Sequence, residues 1–92
     1  MTQIAGKTIY ITGCASGIGR GLVKHAIQHG AKRVIATDVD SAGLGKTAEE
    51  ASKLGSGDIE THILDVSDKD AVYALADSIQ ADHGGADIVI NN

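Results

Sequence analysis

Ninety-two residues provide one small domain, residues 1–92, and leave no room for a second. A net charge of −4 without a basic cluster argues against a nucleic-acid surface, and no segment has the length and apolarity to cross a membrane. A single cysteine excludes an internal disulfide and suits a reducing compartment, and the start M-T-Q-I-A-G-K has no apolar leader core, so the cytoplasm is the expected location.

With no Trp, no Phe and two Tyr, the core must come from Ile, Val, Leu and Ala. The first strand is predicted over Lys7–Thr12 (K-T-I-Y-I-T), straight before a glycine-rich turn. From about Ile18, the residues Leu22, Val23, Ala26 and Ile27 recur at helical spacing, and Gly30 supplies a stop. Arg33–Asp38 (R-V-I-A-T-D) reads as a second strand. Ala42–Leu54 reads as a weaker helix, diluted by Gly43 and Gly45 and closed by Gly55. Ile59–Leu64 alternates apolar and polar residues, as an edge strand does. Ser67-Asp68-Lys69-Asp70 resembles a capping box and opens a helix with Val72, Leu75, Ala76 and Ile79 on one face. Gly84-Gly85 ends that helix, and Asp87–Ile90 begins a fourth strand. The alternation β-α-β-α-β-α-β with short connections predicts an α/β fold: a parallel, doubly wound sheet with right-handed crossovers.

Four glycines fall within the nine residues Gly13 to Gly21, between the first strand and the first helix. In that place glycine lets backbone N–H groups approach an anion at a helix N-terminus, where the dipole favours negative charge. Gly13 allows a tight exit from the strand, Gly17 a close approach to a pyrophosphate, and Gly19 close packing of helix on sheet. The spacing is G-x-x-x-G-x-G and not G-x-G-x-x-G, which fails because Leu22 follows Gly17-Ile18-Gly19. Asp38 ends the next strand, 21 positions beyond Gly17, where a dinucleotide site places its ribose-binding acid.

Thr12-Gly13-Cys14-Ala15-Ser16-Gly17-Ile18-Gly19 resembles the T-G-x-x-x-G-x-G motif of the short-chain dehydrogenases/reductases at every defined position. Asp65-Val66 stands where that family has its adenine contact, and Asn91-Asn92 matches the opening of its N-N-A-G motif, whose second Asn lies beside the cofactor ribose. The resemblance implies a Rossmann-type sheet of strand order 3-2-1-4 and an NAD(P)-dependent oxidoreductase that interconverts alcohols and carbonyls by hydride transfer. It implies cofactor contacts at Gly13, Ser16, Gly17, Ile18, Gly19, Asp38, Asp65, Val66 and Asn92. Family members are more than twice this length and carry a catalytic Ser and a Y-x-x-x-K pair in their second half. Here Tyr10 is followed four residues on by Cys14 and Tyr73 by Asp77, so neither is that tyrosine. The chain therefore reads as the cofactor-binding half of such an enzyme, inactive on its own. A non-catalytic dinucleotide-binding module is the alternative.

Three other patterns carry competing readings. Asp40-Ser41-Ala42-Gly43-Leu44-Gly45-Lys46-Thr47 is one residue short of the G-x-x-x-x-G-K-[S/T] loop of triphosphate-binding proteins. Asp40 replaces its first glycine beside Asp38, and two carboxylates at a triphosphate site repel, so a polar helix start is expected. Cys14 lies near a helix N-terminus, where a thiol pKa can fall, but a space-filling role is expected. His25 and His29 have i, i+4 spacing without a further metal-ligand motif, so they are read as complementing the helix dipole; His62 and His83 are read as solvated.

NAD is expected over NADP, because Asp38 accepts from ribose hydroxyls and repels a 2′-phosphate. Ser16 is neutral, and Arg33, at the far end of the same strand, lies about 17 Å from Asp38 at 3.3 Å per residue. The order 3-2-1-4 leaves Asp87–Ile90 on an edge without Pro or Lys, so either self-association or a C-terminal half of the protein is expected to cover it.

Overall fold

The computed structural model describes residues 3–92; Met1 and Thr2, the start of the polar N-terminal stretch, lie outside the described residues. Seven elements follow one another: β1 (Thr8–Thr12), α1 (Gly17–Gln28), β2 (Arg33–Asp38), α2 (Ser41–Ser52), β3 (Asp58–Ile63), α3 (Lys69–His83) and β4 (Ile88–Ile90). All strand pairs are parallel and the sheet order is β3-β2-β1-β4. The predicted α/β sheet and its strand order are therefore present.

The alternation of side chains along each strand divides the core between the two faces. Ile9 and Ile11 of β1 and Val34 and Ala36 of β2 join Val23, Ala26 and Ile27 of α1 and Leu44 and Ala51 of α2. The intervening Tyr10 and Ile35 turn to the other face, where Leu64 and the α3 residues Leu75 and Ile79 pack. Burying an aliphatic side chain is worth about 1.5–3 kcal/mol, so the two buried residues of α3 supply roughly 3–6 kcal/mol. Helix α1 buries two such residues, Val23 and Ile27, and the small Ala26 and Gly19 beside them.

Several boundaries differ from the sequence reading, each for a local reason. The Asp40 carboxylate accepts from the Gly43 amide at 3.0 Å, so α2 starts at Ser41; it ends at Ser52 with Lys53 as cap, and Gly55 lies beyond it. Asp68 and not Ser67 caps α3, accepting from the Ala71 amide at 3.1 Å. The Ser67 hydroxyl is instead engaged by Asp65 at 2.7 Å. Asp87 precedes β4 and clamps it to β1, its amide donating to the Thr8 carbonyl at 2.8 Å and its carboxylate accepting from the Thr8 amide at 2.9 Å. Gly84 adopts the left-handed conformation (φ 72°) that ends α3, as expected of a C-terminal glycine.

His62 and His83 do not stand free in water. Glu60, two residues before His62 and on the same side of β3, takes His62 Nε2 at 3.0 Å and His83 Nε2 at 3.3 Å, one on each carboxylate oxygen. The pair joins the end of α3 to the edge strand and adds a polar fastening to its small apolar one.

Candidate functional site

The site is built where β1 runs into α1. Gly13 leaves the strand at φ 68° and Gly17 opens the helix at φ 58°, both in the left-handed region that favours glycine. At Gly19 a Cβ would stand 1.9 Å from the Gly13 carbonyl oxygen and 2.8 Å from Asn92 Nδ2. Only glycine lets α1 sit this close to the exits of β1 and β4. Around Gly17 a Cβ would meet nothing within 4 Å, so the space before the helix is open on that side.

Helix α1 differs from the other two at its N-terminus. Asp40 caps α2 and Asp68 caps α3, each through its carboxylate. The N-cap of α1, Ser16, is fully extended, makes no side-chain cap bond, and is followed by no acidic residue in the first turn. The first N–H groups of a helix have no partner inside it and carry the positive end of its dipole. Neither the cap residue nor the first turn of α1 supplies a side-chain acceptor for that end.

Asp38 closes the other side of the loop. Its Oδ2 accepts from the Ala15 amide at 2.9 Å and its Oδ1 from the Asp40 amide at 3.2 Å. The Ala15 amide holds the carboxyl below its ordinary range, against a smaller opposing effect of burial, and the Asp40 and Val39 amides add to the lowering. A carboxylate whose ionised form is favoured by backbone amides thus faces the loop. Asn92 completes the rim: its amide donates to Thr12 Oγ1 at 3.0 Å and its side chain to the Gly13 carbonyl at 3.1 Å.

Gly13, Ser16, Gly17, Ile18, Gly19, Asp38 and Asn92 are therefore gathered at the C-terminal edge of the sheet, around the exit of β1. Ile18 stands 75% exposed within this rim. Asp65 and Val66 belong to the connection from β3 to α3. The Asp65 carboxylate accepts from the amide and hydroxyl of Ser67, which keep it below its ordinary pKa. Val66 borders a groove of about 470 Å³ between α3 and the β1–β4 pair, which Thr12 and Asn91 also line.

Two residues of this region escape a motif search. Arg20 reaches back from α1 to donate to the carbonyls of Ala15 and Gly43, and its Nε donates to Thr47 Oγ1 at 2.9 Å. The Thr47 hydroxyl donates in turn to the Cys14 carbonyl at 2.7 Å. Thr47 is the threonine of the string that resembles a triphosphate loop, and its hydroxyl is buried against β1's exit while Asp40 fills the start of α2. That string is a helix start and no phosphate loop. A polar Thr47 on the buried face that Leu44 and Ala51 define at helical spacing was the available signal.

Cys14 fills space, as expected. It is fully buried, donates its thiol to the Ile11 carbonyl at 3.1 Å, and burial pushes its pKa up to about 11. The His25 and His29 rings lie 4.1 Å apart, and no group of His, Cys, Asp and Glu among the described residues is arranged to hold a metal. No helix among them is long and apolar enough to cross a membrane.

Comparison with known proteins agrees with this geometry. A family model described as short chain dehydrogenase matches residues 7–92. A (+)-borneol dehydrogenase of Salvia officinalis is 43% identical over 90 residues, which cover 98% of this chain and 33% of that protein. A metagenomic short-chain oxidoreductase in complex with NADP superposes with a TM-score of 0.89 at 32% identity, over 99% of this chain and 40% of that one. A short-chain dehydrogenase/reductase of Burkholderia phymatum in complex with NAD gives 0.84 at 29% identity, over 97% and 31%. The chain spans between 14% and 36% of the length of the curated relatives it matches. On sequence and fold together, the chain belongs to the short-chain dehydrogenase family.

Proposed function

We propose that this chain is the nicotinamide-dinucleotide-binding portion of an oxidoreductase that interconverts alcohol and carbonyl groups, and that it takes NAD in preference to NADP. The observation that carries the reading is the contrast at the helix N-termini: α2 and α3 are capped by carboxylates, whereas α1 is open and bordered by Gly17. A pyrophosphate fits that opening, since its charge replaces the missing cap. Ser16, Gly17, Ile18 and Gly19 would hold it through their backbone. Asp38 would accept from the adenosine ribose hydroxyls with lone pairs that Ala15 and Asp40 leave free. Asp65, Val66 and Asn92 are assigned to the adenine and ribose contacts by family likeness. When bound, the nicotinamide supplies the hydride chemistry.

The preference for NAD rests on which donors are already engaged. A 2′-phosphate beside Asp38 would need backbone or guanidinium partners. The Ala15 amide is taken by Asp38 and the Gly43 amide by Asp40. Arg20 is held by carbonyls and Thr47, and Arg33 pairs with Asp58 at 3.4 Å on the β2–β3 edge. The phosphate would meet an ionised carboxylate with these groups committed elsewhere. No Y-x-x-x-K occurs in the 92 residues, so proton transfer is assigned to no residue of this chain, and the same feature suits a module that holds the dinucleotide without turning it over.

The test is a parallel fluorescence titration of the chain with NADH and with NADPH, with Gly17→Trp as the blocked control. Saturable NADH binding, weaker NADPH binding and loss of both in the control support the proposal. Equal affinities remove the preference, and absence of NADH binding removes the function.

A further inference from the structure

The backbone of Cys14–Ala15 is the stem of the glycine loop, and each of its four polar groups has a partner. The Cys14 amide donates to the Thr37 carbonyl at 3.0 Å, and the Ala15 amide to Asp38. The Cys14 carbonyl accepts from Thr47 and the Ala15 carbonyl from Arg20. The amides are thus fixed by β2 and the carbonyls by side chains of α2 and α1. Beyond the stem, the N-cap Ser16 has no side-chain bond. A stem with no free hydrogen-bonding group leads directly into the open first turn of α1.

We infer that Arg20 and Thr47 are positioning residues of the nucleotide site: together they lock the two stem carbonyls away from the site, so that the amides of Ser16 to Gly19 are presented outward in a fixed array. The inference rests on the nucleotide reading proposed above. Thr47 is central because it is shared, accepting from Arg20 Nε while donating to Cys14. It is 1% exposed, so bulk solvent does not reach its bonds. Gly43 makes the contact possible, because a Cβ there would stand 2.7 Å from both the Ala15 carbonyl oxygen and the Ala15 Cβ. Glu50 holds the outer side of the guanidinium at 4.0 Å and also takes Lys24 at 3.3 Å, which keeps Arg20 lying along α2. Neither residue touches the space before Gly17, so both act through the loop.

Thr47→Val keeps the shape and removes the hydroxyl, leaving a buried carbonyl without its donor. NADH affinity of the full chain is expected to fall about tenfold in Thr47→Val and to stay within about twofold of wild type in Thr47→Ser. Arg20→Met, at a partly exposed side chain, is expected to weaken NADH in the same direction and serves if Thr47→Val does not fold. Leu75→Ala, on the opposite face of the sheet, lowers the melting temperature without touching the loop and should leave NADH affinity unchanged. Hydrogen exchange of the Cys14 and Ala15 amides, read without nucleotide, should quicken in Thr47→Val and Arg20→Met and not in Leu75→Ala. Unchanged exchange at these amides overturns the inference, as does an equal loss of affinity in Leu75→Ala. A wild-type chain that does not bind NADH removes the nucleotide reading, and the exchange comparison then judges the lock by itself.

Discussion

The Asp38 carboxylate and the Ala15 amide meet at 2.9 Å across 23 residues of sequence, tying the end of β2 to the glycine loop after β1. One side chain thereby shapes the loop and stands where the proposed function places the ribose hydroxyls. The bond also lowers the carboxyl's pKa. A carboxyl depressed in the folded state contributes stability that is present above its unfolded value, about 3.9, and lost as pH falls through the folded value. Urea unfolding midpoints of the wild type are expected to drop as pH is taken from 5 toward 3, and Asp38→Asn should lessen that drop. A wild-type and an Asn variant with parallel pH profiles would show the carboxylate to be without effect on the fold.

Two glycines of α1 should respond in opposite ways to alanine. At Gly19 the new Cβ would collide with the Gly13 carbonyl, and Gly19→Ala is expected to destabilise by about 1–3 kcal/mol or more. At Gly21, two residues on, a Cβ meets nothing within 4 Å, so Gly21→Ala should stabilise the helix by about 1 kcal/mol. Equilibrium unfolding of both variants provides the check, and the sign of the difference is the prediction.

Much of this was open to reading in the sequence. Strand, glycine turn, helix and closing acid follow one another locally, so β1, α1, β2 and Asp38 could be placed from periodicity and spacing. The capping pattern sets the N-terminus of α3 one residue early, because Ser67 and Asp68 are both good caps and only the fold shows Asp65 taking the serine. Glu60 and His83 are 23 residues apart, and Arg20 and Thr47 are 27 apart; no local pattern joins either pair. Such contacts depend on how α2 and α3 lie against the sheet, which periodicity does not specify.

Glu60 offers a second titration. His62, and then His83, hold its carboxyl below the ordinary glutamate range against the smaller effect of burial. Carbon-detected NMR of the Glu60 carboxyl should give a depressed pKa, with His62→Ala raising it more than His83→Ala. The depression makes the fastening of α3 strongest above the unfolded glutamate value and weakest as pH falls through the folded one. An unperturbed Glu60 titration in wild type would contradict the pairing.

Among the described residues no strand lies beside the outer edge of β4, and Val89 there is 59% exposed. Antiparallel pairing of two copies centred on Val89 would set Ile88 against Ile90 and Asp87 against Asn91, with no like charges opposed. Sedimentation over a concentration series is expected to detect a dimer that Val89→Lys weakens. A monomer at every concentration would exclude this pairing.

Turnover is a separate matter from binding. The proposed function assigns proton transfer to none of these 92 residues, and general acid–base help is worth about 10²–10⁴-fold, so no reduction of NAD by them is expected with a panel of secondary alcohols. Activity that survives repurification and disappears in Gly17→Trp would contradict this.

Binding of a dinucleotide at the open N-terminus of α1 is read residue by residue from backbone amide shifts during an NADH titration. Saturable shifts are expected at Ser16, Gly17, Ile18 and Gly19, together with Asp38, with little change along α3. Shifts absent from those amides, or centred instead on the groove beside Val72 and Ile79, would contradict it.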